Sequence, residues 1–346
     1  MHTNASAGST IGLSDSTRYI TGDRTIRSRF SRAMIDILLL LALPASGKSE
    51  IRRYLDSLDP DSLEPLGIGP TVQIDDFPYV HLMRRFSQEA IELGLNPPYF
   101  ADDDGTFLDS RDWGTLIHLV NGDFGSLSYP PVGAASAGRW LTDRLAAARS
   151  KVGADPYFLS LEKRERLALE AALEYEARVL FEEISERRLE PGQTVVIEFA
   201  RGMPVGSGFP PPPPLGYRYS LSLLDPAILE SARVLYVRVS PEESRRKNRE
   251  RTVVGEEGSI LNHGVPEEVM LNDYGCDDMA WLMESAGQPD TIEVEGADRH
   301  FQIPAAVFDN RGDLTSFLRG EPADWPAGRL KALRERLESS FSRLRG

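Results

Sequence analysis

The stretch Ile-Asp-Ile-Leu-Leu-Leu-Leu-Ala-Leu-Pro-Ala-Ser-Gly-Lys-Ser-Glu, residues 35–50, decides the fold of this chain. Its first part is an almost unbroken aliphatic run, long enough for a buried strand but far short of the about 20 residues of a membrane-spanning helix. Pro44 and Gly47 interrupt the run as a loop, and residues 50–58 continue as a helix. A strand, a glycine-containing loop and a helix in this order predict the first unit of a parallel α/β sheet.

The loop carries side chains that suit phosphate chemistry. The consensus for a phosphate-binding loop is Gly, four residues and Gly-Lys-Ser/Thr, and residues 42–49 match it except that Ala42 replaces the first glycine. Backbone N–H groups at a helix N-terminus bind anions, a lysine can span two phosphates, and a hydroxyl can bind Mg²⁺. We therefore expect ATP and Mg²⁺ as cofactors, with Lys48 on the phosphates and Ser49 on the metal. The expected nucleotide-binding residues are Pro44, Ala45, Ser46, Gly47, Lys48, Ser49 and Glu50. The alternative is a chance Ser-Gly-Lys-Ser turn.

Composition limits the classes of partner. The chain has 346 residues, 41% of them hydrophobic and 27% charged, which is typical of a folded protein. Its net charge of -14 makes nucleic acid and anionic membranes unlikely partners by electrostatics and favours small molecules or proteins. The single cysteine, Cys276, excludes an internal disulfide and predicts a reducing, cytoplasmic environment.

Apolar runs bounded by turn residues recur along the chain and alternate with helical periodicity. They predict strands at residues 36–42, 71–74, 194–199, 233–239 and 303–308. Residues 161–188 have the periodicity of one long amphipathic helix, and residues 327–344 that of a helix packed on the outside. We expect a single domain over residues 34–346, with a parallel sheet of about five strands covered by helices, and a disordered tail over residues 1–33.

Residues 44–49 resemble the loop of small P-loop kinases, the group that includes adenylate, gluconate, uridine and nicotinamide riboside kinases. The resemblance implies a three-layer P-loop NTPase-type fold and transfer of a phosphoryl group from ATP. It covers the sheet and not the loop-rich segment described below.

Two acidic segments follow predicted strands. Asp75-Asp76-Phe77 is similar to the Asp-Asp-Phe-Tyr run of uridine and nicotinamide riboside kinases, which implies that Asp75 is the catalytic base, and we expect Asp76 to contribute to the metal site. The competing interpretation is an N-cap for a helix over residues 79–93. Residues 194–199 have the form of a Walker B segment, with Glu198 where aspartate is usual. Glu198 could hold Mg²⁺ through water or be a plain strand-end carboxylate, and Arg201 could neutralise phosphate or pair with Glu198.

A basic cluster follows the fourth predicted strand. Ser240-Pro241-Glu242-Glu243 is typical of a helix start, and five basic residues come directly after it. The arrangement resembles the lid of small P-loop kinases, which implies that Arg246, Lys247 and Arg251 are catalytic residues that close over the transferred phosphoryl group, within a lid spanning residues 241–275. The alternative is a solvated helix face balanced by glutamates.

The turn after the fifth predicted strand contains Asn310 and Arg311. It resembles the adenine-binding loop of nucleotide kinases, which implies that these two residues contact the base. A simple Asx turn is the competing interpretation.

Residues 94–150 form a candidate acceptor-binding insertion, because residues 94–135 are rich in Asp, Gly, Pro and aromatic residues. Long loops of this kind are uncommon without a function, although a surface Ω-loop is equally consistent. Aromatic and carboxylate side chains suit a neutral or cationic polar acceptor. We therefore expect an ATP-dependent phosphotransferase whose acceptor is a small hydroxyl-bearing molecule such as a nucleoside, nucleotide or sugar. The alternatives are an NTP-hydrolysing switch and a regulatory protein that binds nucleotide without turnover.

Overall fold

Six strands form one sheet in the computed structural model, which describes residues 34–253 and 264–345. The strands are β1 (Ile37–Leu41), β2 (Thr71–Asp75), β3 (Thr194–Phe199), β4 (Ala232–Arg238), β5 (Thr291–Glu295) and β6 (His300–Asp309). They lie in the order β2-β3-β1-β4-β6-β5, and every neighbouring pair is parallel except β5 with β6. The protein is thus an α/β protein with a mostly parallel sheet.

Helices flank the sheet. They are α1 (Lys48–Asp56), α2 (Pro60–Leu63), α3 (Phe77–Glu92), α4 (Asp112–Ser126), α5 (Ala137–Lys151), α6 (Lys163–Ala172), α7 (Glu174–Glu186), α8 (Gly216–Ser222), α9 (Pro226–Ser231), α10 (Pro241–Val253), α11 (Glu267–Asn272), α12 (Met279–Ser285) and α13 (Ala327–Arg345). None of them, within the described residues, is long and apolar enough to cross a membrane.

Strand β1 is buried on both faces, which explains its continuous aliphatic sequence. Because side chains alternate along a strand, Leu39 and Leu41 pack into one apolar cluster with α4, α8 and α9, whereas Leu38 and Leu40 pack into another with α1 and α13. The expected helix at the chain end is confirmed as α13, whose Leu337 is fully buried against the sheet.

The expectation of about five parallel strands was incomplete. Strand β5 was missed, and it pairs antiparallel with β6, whose range contains the expected strand at residues 303–308. Its sequence, Thr-Ile-Glu-Val-Glu, alternates between exposed polar and buried apolar side chains, as expected for an edge strand with one solvated face.

The expectation of one long helix over residues 161–188 was wrong. The helix breaks at Leu173 into α6 and α7, and both segments bury side chains in a third apolar cluster that also includes α3, α4 and α5. Helix α6 lies so close to α5 that a side chain at Gly138 would collide with the carbonyl of Glu170. The break therefore allows α6 and α7 each to pack closely against neighbouring helices.

The candidate insertion is more helical than its composition indicated. Helices α4 and α5 occupy much of residues 94–150, and the longer stretch without helix is limited to residues 93–111. Three glycines in α4 lower its intrinsic helix propensity and led to the loop interpretation. One of them, Gly114, is required by packing, since a Cβ there would lie 2.6 Å from the hydroxyl oxygen of Tyr219.

The expected lid, residues 241–275, is helical at both ends, as α10 and α11. Residues 254–263 and the expected tail over residues 1–33 lie outside the described residues.

Candidate functional site

The loop over residues 42–49 joins β1 to α1 at the carboxyl end of the central strand. Gly47 has a φ of 103°, in the left-handed region that favours glycine, and a Cβ there would lie 2.7 Å from Asn310 Nδ2 and closer still to Thr315 Oγ1. Gly47 is the N-cap of α1 and offers no side-chain acceptor to the N–H groups of the first turn. The loop therefore requires glycine at this position and presents a helix N-terminus.

Four side chains from separate parts of the chain fix the direction of the loop carbonyls. They are Tyr217 Oη and Lys48 Nζ on the carbonyl of Ala42 at 2.9 and 3.0 Å, Ser244 Oγ on Pro44 at 2.7 Å, and Asn310 Nδ2 on Ser46 at 2.6 Å. In a trans peptide the N–H points opposite to the C=O, so each of these hydrogen bonds also fixes the direction of the N–H group of the same peptide. The contacts therefore hold the loop in one backbone shape.

Asn310 lies beneath the loop and does not face open space. It is fully buried, and its amide also contacts Thr315 Oγ1 at 2.9 Å and accepts the Leu314 N–H at 2.7 Å. Contact with a nucleotide base, as expected from the sequence, does not fit this geometry. Arg311 is exposed and bonds to Asp309 at the edge of a separate shallow depression, so the structure does not bring it to the loop.

Two carboxylates lie side by side where β2 and β3 end. Asp75 and Glu198 are direct partners in the strand register, and both line the cavity next to the loop. Arg52 of α1 lies between them, with Nη1 3.3 Å from Asp75 Oδ2 and 3.4 Å from Glu198 Oε2. Glu198 Oε2 is buried and has no hydrogen-bond partner among the described residues.

The ionisation of Asp75 is strongly perturbed. Burial raises its pKa to about 7, assisted by repulsion from Glu198 and Asp76, against the opposing effects of the Phe77 N–H and Arg52. The Phe77 N–H, at the first residue of α3, donates to Asp75 Oδ1 at 2.6 Å. The N-cap residue of α3 is Asp76, but its side chain makes no capping hydrogen bond, so the helix-cap interpretation of this pair holds by position only, and Asp75 Oδ2 faces Arg52.

Asp76 is committed to a buried ion pair. Its Oδ2 lies 2.6 Å from Nη1 of Arg201, whose guanidinium also bonds to Ser220 Oγ. That guanidinium lies 5.0 Å from the ring centroid of Trp113, and Arg201 is only 2% exposed. Arg201 therefore pairs with Asp76 and not with Glu198, one of the two alternatives that the sequence left open for it. A metal-binding role for Asp76 does not fit, because a buried positive charge already neutralises it.

The basic residues of α10 are mostly paired within the protein. Arg246 is exposed and bonds to Glu243 and Glu250 of its own helix, which matches the solvated-face alternative. Lys247 is fully buried, and its Nζ lies 3.0 Å from Asp313 Oδ1. The side chain of Arg251 lies outside the described residues.

Six of the seven loop residues expected to bind nucleotide line one cavity of about 600 Å³. They are Pro44, Ala45, Ser46, Gly47, Lys48 and Ser49. The carboxylate of Glu50 instead accepts a hydrogen bond from Arg319 Nε at 2.7 Å.

The cavity extends from the loop to an aromatic wall contributed by the insertion and by Tyr274, which follows α11. Phe100 stacks on Phe107 with ring centroids 4.4 Å apart, Phe107 packs edge-on against Trp113 at 4.9 Å, and Trp113 against Tyr274 at 5.6 Å. The aromatic residues of the insertion therefore lie opposite the loop across one shared space.

The aromatic end of the cavity is lined by both acidic and basic side chains, among them Asp273 and Arg84. Burial raises the pKa of Asp273 to about 7, and Arg84 opposes this shift. Arg84 lies 3.9 Å above the ring of Phe100 and donates to backbone carbonyls of residues 102, 103 and 105, so its hydrogen bonds are used internally. The guanidinium keeps its positive charge in these contacts, so the aromatic end of the cavity carries charged groups of both signs.

Sequence reasoning missed several residues of this site. Arg52 is four residues beyond Lys48, a spacing that places both on one face of α1 and could have indicated its position. Tyr217, Ser244 and Asp273 contact or line the site from far along the chain and have no local signal.

No group of three or more His, Cys, Asp or Glu side chains able to hold a metal ion occurs in the part of the chain that the structure describes. No protein-family model matches the sequence, and no curated protein matches it.

Proposed function

We propose that this protein is a P-loop kinase that transfers a phosphoryl group from ATP to a small hydroxyl-bearing acceptor. The observation that carries the proposal is one cavity of about 600 Å³ lined at one end by the Gly47-Lys48-Ser49 loop, beside it by Asp75, and at the other end by aromatic rings. A donor site, a candidate base and a place for a second molecule share one space.

The loop end suits a triphosphate. The carbonyls of Pro44 and Ser46 are held by Ser244 and Asn310, Gly47 leaves the first turn of α1 without a side-chain cap, and Lys48 lines the cavity. Ser46 Oγ is buried, lines the same cavity and has no hydrogen-bond partner among the described residues. A phosphate oxygen would satisfy this hydroxyl and the loop N–H groups together.

The residues next to the loop fit a divalent cation. Ser49 lines the cavity, and Glu198 Oε2 is a buried carboxylate oxygen without a hydrogen bond among the described residues. Oxygen ligands of this kind suit Mg²⁺, which usually keeps several waters and needs few protein ligands. When bound, Mg²⁺ neutralises charge on the transferring phosphates.

Asp75 is the candidate general base. A carboxylate with a pKa of about 7 is well matched to accepting a hydroxyl proton at neutral pH. One of its oxygens accepts the Phe77 N–H, and the other faces Arg52, which lines the same cavity. Catalysis would then rest mainly on positioning and electrostatic stabilisation.

The test is an acceptor screen with γ-labelled ATP and Mg²⁺, using panels of neutral, cationic and anionic alcohols. We expect label transfer to neutral or cationic acceptors, loss of transfer with Lys48→Ala, and a 10²–10⁴-fold lower kcat with Asp75→Asn, on the order of a general-base contribution. Asp61→Asn, an exposed carboxylate on α2, is the matched control and should keep full activity.

Two results would favour other functions. Hydrolysis of ATP at equal rates with and without acceptor, unaffected by Asp75→Asn, would indicate an NTP-hydrolysing switch. Tight binding of ATP with no product would indicate a regulatory protein. Parallel assays with GTP determine the nucleotide preference.

A further inference from the structure

Arg52 lines the cavity but has no role in the proposed kinase function so far. It lies one helical turn beyond Lys48 on α1, so the two side chains project from the same face of the helix. Its Nη1 is 3.3 Å from Asp75 Oδ2 and 3.4 Å from Glu198 Oε2, and both carboxylates line the cavity with it.

The acidic pair needs a positive charge between its members. Asp75 and Glu198 are register partners on adjacent strands, and like charges directly opposite each other in a sheet are destabilising. Arg52 supplies the charge from α1 and compensates both carboxylates at once.

The contact with Glu198 is nevertheless a poor one. Charge-assisted hydrogen bonds between nitrogen and a carboxylate oxygen are usually about 2.7–2.9 Å long. The 3.4 Å approach of Arg52 leaves Glu198 Oε2 buried without a hydrogen bond among the described residues. Another cation that fits Glu198 better can therefore replace the guanidinium at that carboxylate.

We propose that Arg52 is an exchangeable counter-ion of the Asp75–Glu198 pair, competing with a divalent cation for the carboxylate of Glu198 and contacting the phosphates of the nucleotide once released. The exchange depends only on the geometry of the three side chains. The phosphate contact rests on the proposed function, and follows from the shared helix face of Arg52 and Lys48, because the phosphates are then the nearest anions available to the released guanidinium.

The exchange is tested without nucleotide or turnover, by calorimetric titration with Mg²⁺ alone and by Mn²⁺ binding measured with electron paramagnetic resonance. We expect Arg52→Gln to raise divalent affinity by at least tenfold, because the competing charge is removed, and Arg52→Lys to raise it less. Adding Glu198→Gln to Arg52→Gln should abolish the gain.

Arg53→Gln is the matched control. Arg53 follows directly on α1, but its guanidinium bonds to the carbonyls of Leu318 and Arg319 outside the cavity, so its removal should leave divalent affinity unchanged. Equal affinity in the wild type and Arg52→Gln, or a gain that persists in the double variant, would overturn the exchange. If Arg52→Gln fails to fold, the same comparison is made with Arg52→Lys, and an unchanged affinity in that variant has the same consequence.

The contact between Arg52 and the phosphates is tested separately, by steady-state kinetics. Once an acceptor has been identified, Arg52→Gln should lower kcat at least tenfold with a smaller change in KM for ATP. An unchanged kcat would contradict the contact. If the protein shows the metal exchange but phosphorylates no acceptor, the exchange proposal stands and the kinase proposal is refuted. The two failures are therefore distinguishable.

Discussion

Replacing Asn310 by alanine should damage both stability and nucleotide binding, although this residue touches no open space. The substitution removes the donor to the Ser46 carbonyl and the acceptor for the Leu314 N–H, which the buried Asn310 side chain satisfies at 2.6 and 2.7 Å. A buried backbone group left without its partner costs about 1–3 kcal/mol, so the two together cost roughly 2–6 kcal/mol. That is a large fraction of the about 5–15 kcal/mol that stabilises a typical domain.

Urea unfolding followed by tryptophan fluorescence measures this loss, and titration with a fluorescent ATP analogue measures affinity at urea concentrations where the variant stays folded. Arg311→Ala is the matched control, because the neighbouring residue is exposed and bonds only to Asp309 in the structure. A loss below about 0.5 kcal/mol for Asn310→Ala would refute its role as a loop support. Weaker ATP binding by Arg311→Ala at unchanged stability would instead restore the base contact indicated by the sequence.

Three further predictions concern single side chains. Asp76→Asn should destabilise the fold by about 3–5 kcal/mol, since Arg201 is left as a buried unpaired charge, and urea unfolding of the variant near the wild-type midpoint would contradict this. Gly47→Ala should abolish ATP binding in calorimetry and lower the Tm, because the new Cβ collides with Thr315 at a φ of 103°, and wild-type affinity would show that the loop tolerates a side chain. Burial raises the pKa of Asp277 to about 6, so the folded state binds its proton more tightly than the unfolded state. Between about pH 4 and 6 this residue should therefore make stability rise as pH falls, by at most about 1.4 kcal/mol per pH unit. Asp277→Asn should remove that part of the slope in urea unfolding across this range, whereas identical slopes would refute it.

Strands with strong local signals could be predicted from the sequence. β1, β2, β3 and β4 are apolar runs ended by turn residues, and the alternation of such runs with helices was sufficient to predict a helix-covered parallel sheet. β5 has the weaker alternating pattern of a half-exposed edge strand and was missed. The break at Leu173 was also hidden, because apolar spacing continues through it.

The candidate site could be predicted only in part. Local motifs indicated the loop, Asp75 and Glu198, and the structure brings these together around one cavity. The partners of the charged groups could not be read from the sequence, because they depend on contacts between distant segments. Arg201 pairs with Asp76 across 125 residues, and Asn310 reaches Ser46 across 264. Motif spacing carries no information about such pairs.

The distant supports of the loop affect the order in which the protein matures. Three of the side chains that hold carbonyls of the loop, Tyr217, Ser244 and Asn310, are synthesised long after the glycine-lysine-serine segment itself. A nascent chain that ends before Asn310 cannot make the hydrogen bond to the carbonyl of Ser46. The loop therefore reaches its final shape only after Asn310 has been synthesised, and shorter nascent chains should not bind the proposed nucleotide.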